Sequence, residues 1–180
     1  MHQIPLAQLT AMDPDERERL ERRIADQAAR GFQFRFMRFP VADAHNQNTP
    51  PADLCPELSE AFIQQELVEF SRQVTADPEI RSTSMFASFY PPGSYLRSHD
   101  DQALNDNRRA AYVLNLTRKW NFDWGGLLVI EDKKRTRVQR ALVPRFNSLV
   151  LFKVPRSHHV TPVCAYAQGQ RYALQGWFNA

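Results

Sequence analysis

Residues 82–101 read STSMFASFYPPGSYLRSHDD and predict two β-strands joined by a tight turn. The first nine residues form a short, aromatic-rich run that ends at Tyr90, and Pro91-Pro92-Gly93 is typical of a turn. The next run, residues 95–98, predicts a second strand. This arrangement places the triplet His99-Asp100-Asp101 at the end of a strand.

Short apolar runs separated by turn residues continue to the end of the chain. They predict six further strands, at residues 109–117, 126–131, 136–143, 148–154, 158–163 and 170–178. With the two above, eight strands occupy about a hundred residues, as in closed or rolled antiparallel sheets. We therefore expect an α+β protein, mainly β, with a double-stranded β-helix (jelly roll) of about eight strands.

The residues before these strands predict supporting elements. A helix is expected to begin after an Asp13 cap with Pro14 at its first position, and to end at Gly31. The alternation of Phe32, Phe34 and Phe36 with other residues then predicts a strand with one aromatic face. A second helix is expected at residues 56–75.

The length of the chain indicates a single domain over residues 1–180. Within it, residues 1–81 are expected to form the helical and strand support that braces the roll. Residues 82–180 are expected to form the jelly-roll core.

Two distant segments carry candidate metal ligands. In an extended strand alternate side chains share a face, so His99 and Asp101 are expected to point together while Asp100 points away. A second histidine is available in Ser157-His158-His159-Val160. Two imidazoles and one carboxylate suit Fe(II) and leave coordination positions open for a co-substrate and O2. This pattern predicts an oxygenase.

A set of short strings extends the pattern over about half of the chain. They are YPPGSYLRSHDD (90–101), YVLN (112–115), Trp120, WGG (124–126), FNSLVLF (146–152), HHVTPV (158–163) and RYALQGWF (171–178). In order and spacing this set resembles the Fe(II)/2-oxoglutarate-dependent dioxygenases, and within them the prolyl-hydroxylase-like branch. The resemblance implies that His99, Asp101 and His158 form the catalytic metal triad. His159 is then expected to face the other side of its strand.

The resemblance also implies a co-substrate pocket. Arg171 matches the residue that binds the far carboxylate of 2-oxoglutarate, and Tyr90 matches a pocket tyrosine. An inward guanidinium needs an anion, which is either this carboxylate or an internal acid. Some relatives place a second tyrosine where this chain has Val113 beside Tyr112. Tyr95 is a candidate to replace it.

The retained carboxylate of Asp101 favours hydroxylation, because halogenating relatives have a small residue there. The resemblance implies Fe(II), 2-oxoglutarate and O2 as reactants, with ascorbate as a supporting reductant and succinate and CO2 as products. The leading substrate is a prolyl residue in a protein or peptide. Loops 102–109 and 42–51 are expected to form the substrate mouth, where Arg108 or Arg109 is a candidate to hold a substrate carbonyl or carboxylate.

Three alternatives remain open from the sequence. The first is a hydroxylase of a free amino acid or another small molecule. The second, a nucleic-acid demethylase, is less favoured because no second arginine follows Arg171 at the short spacing of those enzymes. The third is a non-catalytic jelly-roll binding module. This alternative does not explain why the sequence combines His99, Asp101, His158 and Arg171.

The composition sets outer limits. Hydrophobic residues make up 43% of the chain and the formal net charge is +3. The basic run KKRTRVQR at residues 133–140 is either a patch for an acidic partner or, as we favour, a solvated edge strand. No run of 18 apolar residues and no signal peptide is found, so we expect a cytoplasmic protein without a membrane partner.

Overall fold

Two antiparallel five-stranded sheets form the protein. The computed structural model describes residues 4–41, 65–102 and 107–180. The strands are β1 Phe34–Arg35, β2 Met37–Pro40, β3 Ser82–Tyr90, β4 Tyr95–His99, β5 Arg108–Asn115, β6 Leu128–Glu131, β7 Val138–Leu142, β8 Ser148–Lys153, β9 His158–Val160 and β10 Arg171–Asn179. The helices are α1 Leu6–Ala11, α2 Pro14–Arg30 and α3 Leu67–Thr75, with a 3₁₀ turn at Phe122–Trp124.

The strand order confirms the predicted double-stranded β-helix. The first sheet has the order β1-β4-β9-β6-β7, and the second has the order β2-β3-β10-β5-β8. From β3 to β10 the chain passes from one sheet to the other after every strand except at the β6–β7 hairpin. All eight strands expected from the sequence are present, with their ends shifted by a few residues.

The segment after the first helix differs from its prediction. One aromatic strand was expected around residues 32–37, but the chain forms two short strands that join different sheets. β1 pairs with β4, whereas β2 pairs with β3. Phe36 lies between β1 and β2 and belongs to neither strand. The segment before residue 81 therefore adds an edge strand to each sheet in addition to its helices.

The helix before this segment begins and ends as predicted. The Asp13 carboxylate accepts a hydrogen bond from the Glu16 amide at 2.8 Å, and the Glu16 carboxylate accepts one from the Asp13 amide at 3.3 Å. This reciprocal capping box satisfies amides that have no partner within the helix. α2 ends at Arg30, immediately before Gly31. The short α1 was not predicted.

α3 is the described part of the second predicted helix, and residues 56–64 lie outside the described chain. Its buried residues are Val68, Ser71 and Thr75. Val68 packs in a cluster with Ile80, which precedes β3, and with Phe178 of β10 in the second sheet. The predicted bracing of the roll by helices is therefore confirmed for α3. Within the described residues, no helix combines the length and apolar character needed to cross a membrane.

The main hydrophobic core lies between the sheets. Its buried members are Tyr90, Val113, Leu128, Ile130, Val160, Val163, Ala167 and Ala173. The basic run at residues 133–140 falls on the β6–β7 turn and on β7, the outer strand of the first sheet. Residues Val138 to Ala141 are exposed there, in agreement with a solvated edge strand.

The close contact between β10 and β3 depends on a glycine. A Cβ added at Gly176 would lie 1.8 Å from the Ser84 carbonyl oxygen, whereas one added at Gly31 meets nothing within 4 Å. We expect Gly176→Ala to lower the free energy of unfolding by at least about 2 kcal/mol, because backbone must move. Gly31→Ala should change it by less than about 0.5 kcal/mol. Urea denaturation of both variants tests this, and equal stabilities would contradict the described strand contact.

Candidate metal centre

The three predicted metal ligands come together at one end of the first sheet. His99 Nε2 lies 3.2 Å from Asp101 Oδ1, and His158 Nε2 lies 3.4 Å from Asp101 Oδ2. Among the described residues they form a group whose ligand atoms all lie within 4.8 Å of one another. The side chains of Asp101 and His158 are almost fully buried.

The backbone brings His99 and Asp101 together in a different way from the one predicted. β4 ends at His99, so the two residues do not share a strand face. Asp101 instead adopts a left-handed conformation with φ of 62°. This conformation is uncommon for residues other than glycine, although aspartate tolerates it better than most. A turn beyond the strand, and not strand alternation, directs its carboxylate back to His99.

A β-bulge directs His99 into the molecule. Leu96 and His99 both line the same cavity, although residues three apart in a regular strand face opposite ways. The β4–β9 pairing changes register between Leu96, which pairs with Val160, and His99, which pairs with His158. The extra residue of a bulge re-aims the side chain in this way.

Hydrogen bonds set the tautomers of both histidines. His99 Nδ1 contacts the Arg97 carbonyl at 2.9 Å, and His158 Nδ1 contacts the Arg156 carbonyl at 2.7 Å. Because a carbonyl only accepts, both Nδ1 atoms carry the proton and a neutral ring turns its Nε2 lone pair toward Asp101. Three electron-pair donors thus converge, as a cation site requires.

Local electrostatics favour these ligand forms. Burial, together with the nearby His99, lowers the pKa of His158 and keeps its imidazole neutral. Burial alone raises the pKa of the Asp101 carboxyl, but the adjacent imidazoles of His99 and His158 outweigh burial and lower this pKa. Neutral imidazoles and an ionised carboxylate are the forms that bind metals.

The neighbouring residues face elsewhere. Asp100 interacts with Arg135 at 3.5 Å. The ring of His159 points to Glu131, with its Nδ1 2.5 Å from the carboxylate. Of the two adjacent histidines, the structure therefore brings only His158 to the group.

Arg171 lies across the cavity on the second sheet, at the start of β10. It is 1% exposed, and its Nε and Nη1 atoms have no hydrogen-bond partner. No ion pair joins it to another described residue, so the alternative of an internal acid finds no support there. Burial lowers its pKa. An unpaired buried guanidinium is costly, and a planar carboxylate would satisfy it with two parallel hydrogen bonds.

Tyr90 lies beside Arg171. The guanidinium carbon is 4.9 Å from the centre of the Tyr90 ring, which stacks on Phe36 at 4.6 Å. The Tyr90 hydroxyl is buried without a partner, and burial raises its pKa to about 12. It is therefore a neutral donor at physiological pH. Gln175 lines the cavity on the same strand as Arg171.

The other tyrosines considered from the sequence do not present a hydroxyl to the cavity. Leu96 lines the cavity, and Tyr95, which alternates with it in β4, is not among the lining residues. Tyr90 is not a lining residue either, but its ring contacts Arg171, which does line the cavity. Among the described residues, Tyr95 has no such contact with Arg171. Tyr112 and Val113 both line the cavity, but the Tyr112 hydroxyl donates to the Ser84 carbonyl at 3.1 Å.

The cavity has a volume of about 440 Å³ and holds the triad and Arg171 in its walls. A row of rings runs along one wall and ends at Tyr90 in the adjacent core. The centroid distances are 5.3 Å (His99–Phe32), 6.3 Å (Phe32–Phe34), 5.3 Å (Phe34–Phe36) and 4.6 Å (Phe36–Tyr90). The aromatic alternation seen in the sequence was the signal for this wall. Its contribution to the site was not predicted.

The predicted substrate loops are only partly described. Loop 42–51 lies outside the described residues, as do residues 103–106 of the second loop. Gln102 and Arg108 line the cavity, whereas Arg109 forms an ion pair with Asp77 at 2.8 Å. Of the two candidate arginines, Arg108 is the one that reaches the site.

Two curated relatives are similar to part of this chain. The prolyl 3-hydroxylase OGFOD1 of Mus musculus is 33% identical over 88 residues, which are 46% of this chain and 16% of that protein. The Xenopus laevis protein of the same name is 34% identical over 89 residues, which are 47% of this chain and 17% of that protein. The chain thus spans less than a fifth of these relatives.

The fold of this chain is similar to the folds of two solved structures. A Pseudomonas putida prolyl-4-hydroxylase gives a TM-score of 0.54 at 20% identity, covering 87% of this chain and 97% of that one. A 2OG-Fe(II) oxygenase family oxidoreductase from Burkholderia pseudomallei gives 0.59 at 14% identity, covering 98% of this chain and 83% of that one.

The family model of the 2OG-Fe(II) oxygenase superfamily matches residues 85–179, more than half of the chain. The match extends from within β3 through β10 and contains the His99, Asp101, His158 group as well as Arg171. The chain belongs to the 2OG-Fe(II) oxygenase superfamily.

Proposed function

We propose that this protein is an Fe(II)- and 2-oxoglutarate-dependent dioxygenase that hydroxylates a prolyl residue in a protein or peptide. The observation that carries the proposal is that one cavity contains both a converging His99, Asp101, His158 group and a buried Arg171 whose Nε and Nη1 atoms have no hydrogen-bond partner. A metal at the first and a carboxylate at the second would satisfy both sets of groups.

Each residue then has a defined task. His99, Asp101 and His158 hold Fe(II), and Arg171 binds the far carboxylate of 2-oxoglutarate with the Tyr90 hydroxyl beside it. When bound, Fe(II) and 2-oxoglutarate supply the oxidising chemistry that uses O2 and yields succinate and CO2. The chain keeps the His158 imidazole neutral, retains a carboxylate where halogenation would need a small residue, and surrounds the site with apolar rings that exclude water.

The prolyl substrate is supported by two observations. Two curated relatives that are 33% and 34% identical to just under half of this chain carry the name prolyl 3-hydroxylase. In addition, Phe32 and Phe152 flank the ligand histidines, with ring distances of 5.3 Å to His99 and 4.7 Å to His158. Flat aromatic walls suit the apolar ring of proline. The ferrous centre also fits the reducing cytoplasm, where we place the enzyme.

The co-substrate assignment is tested by anaerobic titration of the iron-loaded protein with 2-oxoglutarate. We expect the visible charge-transfer band of a chelated keto acid. Arg171→Lys should raise the 2-oxoglutarate concentration that gives half of the maximal band at least about tenfold. The reason is that an ammonium group replaces a planar guanidinium that can donate two parallel hydrogen bonds to a carboxylate. Arg145→Lys, at an exposed position away from the cavity, is the control. An unchanged titration in Arg171→Lys would remove Arg171 from the site.

The substrate class is tested in the same preparation under air, with ascorbate present. Proline-containing peptides, free amino acids and oligonucleotides are compared for stimulated 2-oxoglutarate consumption and for a mass gain of one oxygen atom. We expect both signals with a prolyl peptide. Oxygen gain only in free amino acids or in oligonucleotides would reject the prolyl assignment and leave the dioxygenase in place.

The two adjacent histidines give a matched pair for the metal site. His158→Ala should weaken Mn(II) binding at least about a hundredfold, because a ligand is lost. His159→Ala should weaken it far less, since His159 only contacts Glu131. Equilibrium dialysis with both variants measures this, and the reverse ranking would reject the assignment of His158 as a ligand.

A further inference from the structure

A second cavity, of about 380 Å³, adjoins the metal cavity. The two share four lining residues, Arg38, Phe86, Arg108 and Trp177, which we call the rim. Beyond the rim the second cavity is lined by Ser82, Ser84, Met85, Asn107 and Asn179. A substrate segment that leaves the metal cavity across the rim therefore enters a polar groove.

The rim is a continuous stack of rings and guanidinium groups. The guanidinium carbon of Arg38 is 4.6 Å from the Phe86 ring centre, and that of Arg108 is 3.7 Å from the Trp177 ring centre. The two rings lie 5.7 Å apart. Stacking on Phe86 holds the Arg38 guanidinium flat and leaves its N–H edge available for a planar anion.

Arg38 gives the rim an exposed positive charge. Arg38 is exposed and forms no ion pair with another described residue. Arg108 donates to the Asp101 backbone carbonyl at 3.2 Å, which places the rim directly beside a candidate metal ligand. With the rim included, the described lining residues of the second cavity contain two arginines and no Asp or Glu. Its serine and asparagine groups can donate to and accept from a peptide backbone.

We propose that the rim is a subsite for an acidic residue of a peptide substrate, next to the residue that is oxidised. One extended residue spans about 3.3 Å, and the rim adjoins Asp101, so the acidic residue lies within about three positions of the target. The inference rests on the proposed function for the identity of the target residue, but the preference for a carboxylate is measured independently of oxidation.

The test is peptide binding to the Zn(II)-loaded protein, in which no turnover occurs. Fluorescent proline peptides that differ only in Asp or Asn near the proline are compared by anisotropy. We expect the Asp peptide to bind about tenfold more tightly, as for a charge-assisted pair. Arg38→Gln should remove most of this difference, while Arg145→Gln should keep it. Arg38→Glu should instead favour a Lys-bearing peptide.

The outcomes separate this inference from the proposed function. Equal affinities for the Asp and Asn peptides, or no measurable binding of either, would overturn the acidic subsite. Tighter binding of a single-stranded oligonucleotide than of the Asp peptide would also overturn it, because phosphate would then be the recognised anion. Selective binding of an acidic peptide that gains no oxygen under air would instead reject prolyl hydroxylation and keep the subsite.

A second, independent observation concerns the outer face of the first sheet. Each ligand histidine follows a serine, and both serine hydroxyls donate to the same atom, Glu131 Oε2. The distances are 2.7 Å from Ser98 and 2.6 Å from Ser157. The other Glu131 oxygen contacts His159, and the carboxylate is buried. One carboxylate at the end of β6 thus joins the two segments that carry His99 and His158.

We infer that Glu131 is a positioning residue that sets the spacing of the two ligand histidines. Its hydrogen bonds act through the residue preceding each ligand, so a change at Glu131 moves both imidazoles without touching a bound metal. Partners of this kind typically alter metal affinity by ten- to a hundredfold. The neighbouring Asp132 is a matched control, because its carboxylate accepts only within its own turn, from Thr136 and Arg137.

The test compares Glu131→Gln with Asp132→Asn. We expect Glu131→Gln to weaken Mn(II) binding at least about tenfold and to change the visible spectrum of the Co(II)-loaded protein, with Asp132→Asn unchanged. A purely structural role would lower the metal-free unfolding midpoint and leave the Co(II) spectrum unaltered. If Glu131→Gln does not fold, Ser98→Ala with Ser157→Ala decides. Wild-type Mn(II) affinity and Co(II) spectrum in the variant that folds would overturn the inference.

Discussion

The pairing of β4 with β9 is the constraint on which the rest of the site depends. It places His99 opposite His158, and the bulge between Leu96 and His99 turns the His99 imidazole into the cavity that His158 also lines. Backbone carbonyls then fix each Nδ1 proton, so the lone pairs converge on Asp101. A regular strand in place of the bulge would have directed His99 to the outer face, where Glu131 and the two serines lie.

The cavity wall and the core next to it hold groups that are unfavourable in the protein alone. Arg171 is buried without a hydrogen-bond partner for two of its nitrogens, and the neighbouring Tyr90 hydroxyl also has none. The surrounding sheets hold the Arg171 guanidinium and the Tyr90 hydroxyl in these buried positions. An anionic ligand would supply the hydrogen-bond acceptors that both groups lack. Polar groups that remain unsatisfied until a ligand binds are typical of sites preorganised for binding.

Much of this could be predicted from the sequence. The eight strands follow from short apolar runs between turn residues, and the start and end of α2 follow from the Asp13 cap and Gly31. The choice of His158 over His159 came from the resemblance, and the geometry agrees with it. The role of the aromatic segment was missed because residues 32–40 divide between two sheets, and no local pattern encodes a change of sheet.

The sequence by itself determined the element pattern, the residue types able to hold a metal and an anion, and the family, because these are recorded in local spacing and short strings. Only the tertiary structure decided the bulge at His99, the left-handed Asp101, the exclusion of Tyr95 and the grouping of Arg38, Phe86, Trp177 and Arg108. The physical reason is that these features depend on contacts between strands distant in sequence. Their register and closeness are set by the packing of the whole roll, and not by the preferences of neighbouring residues.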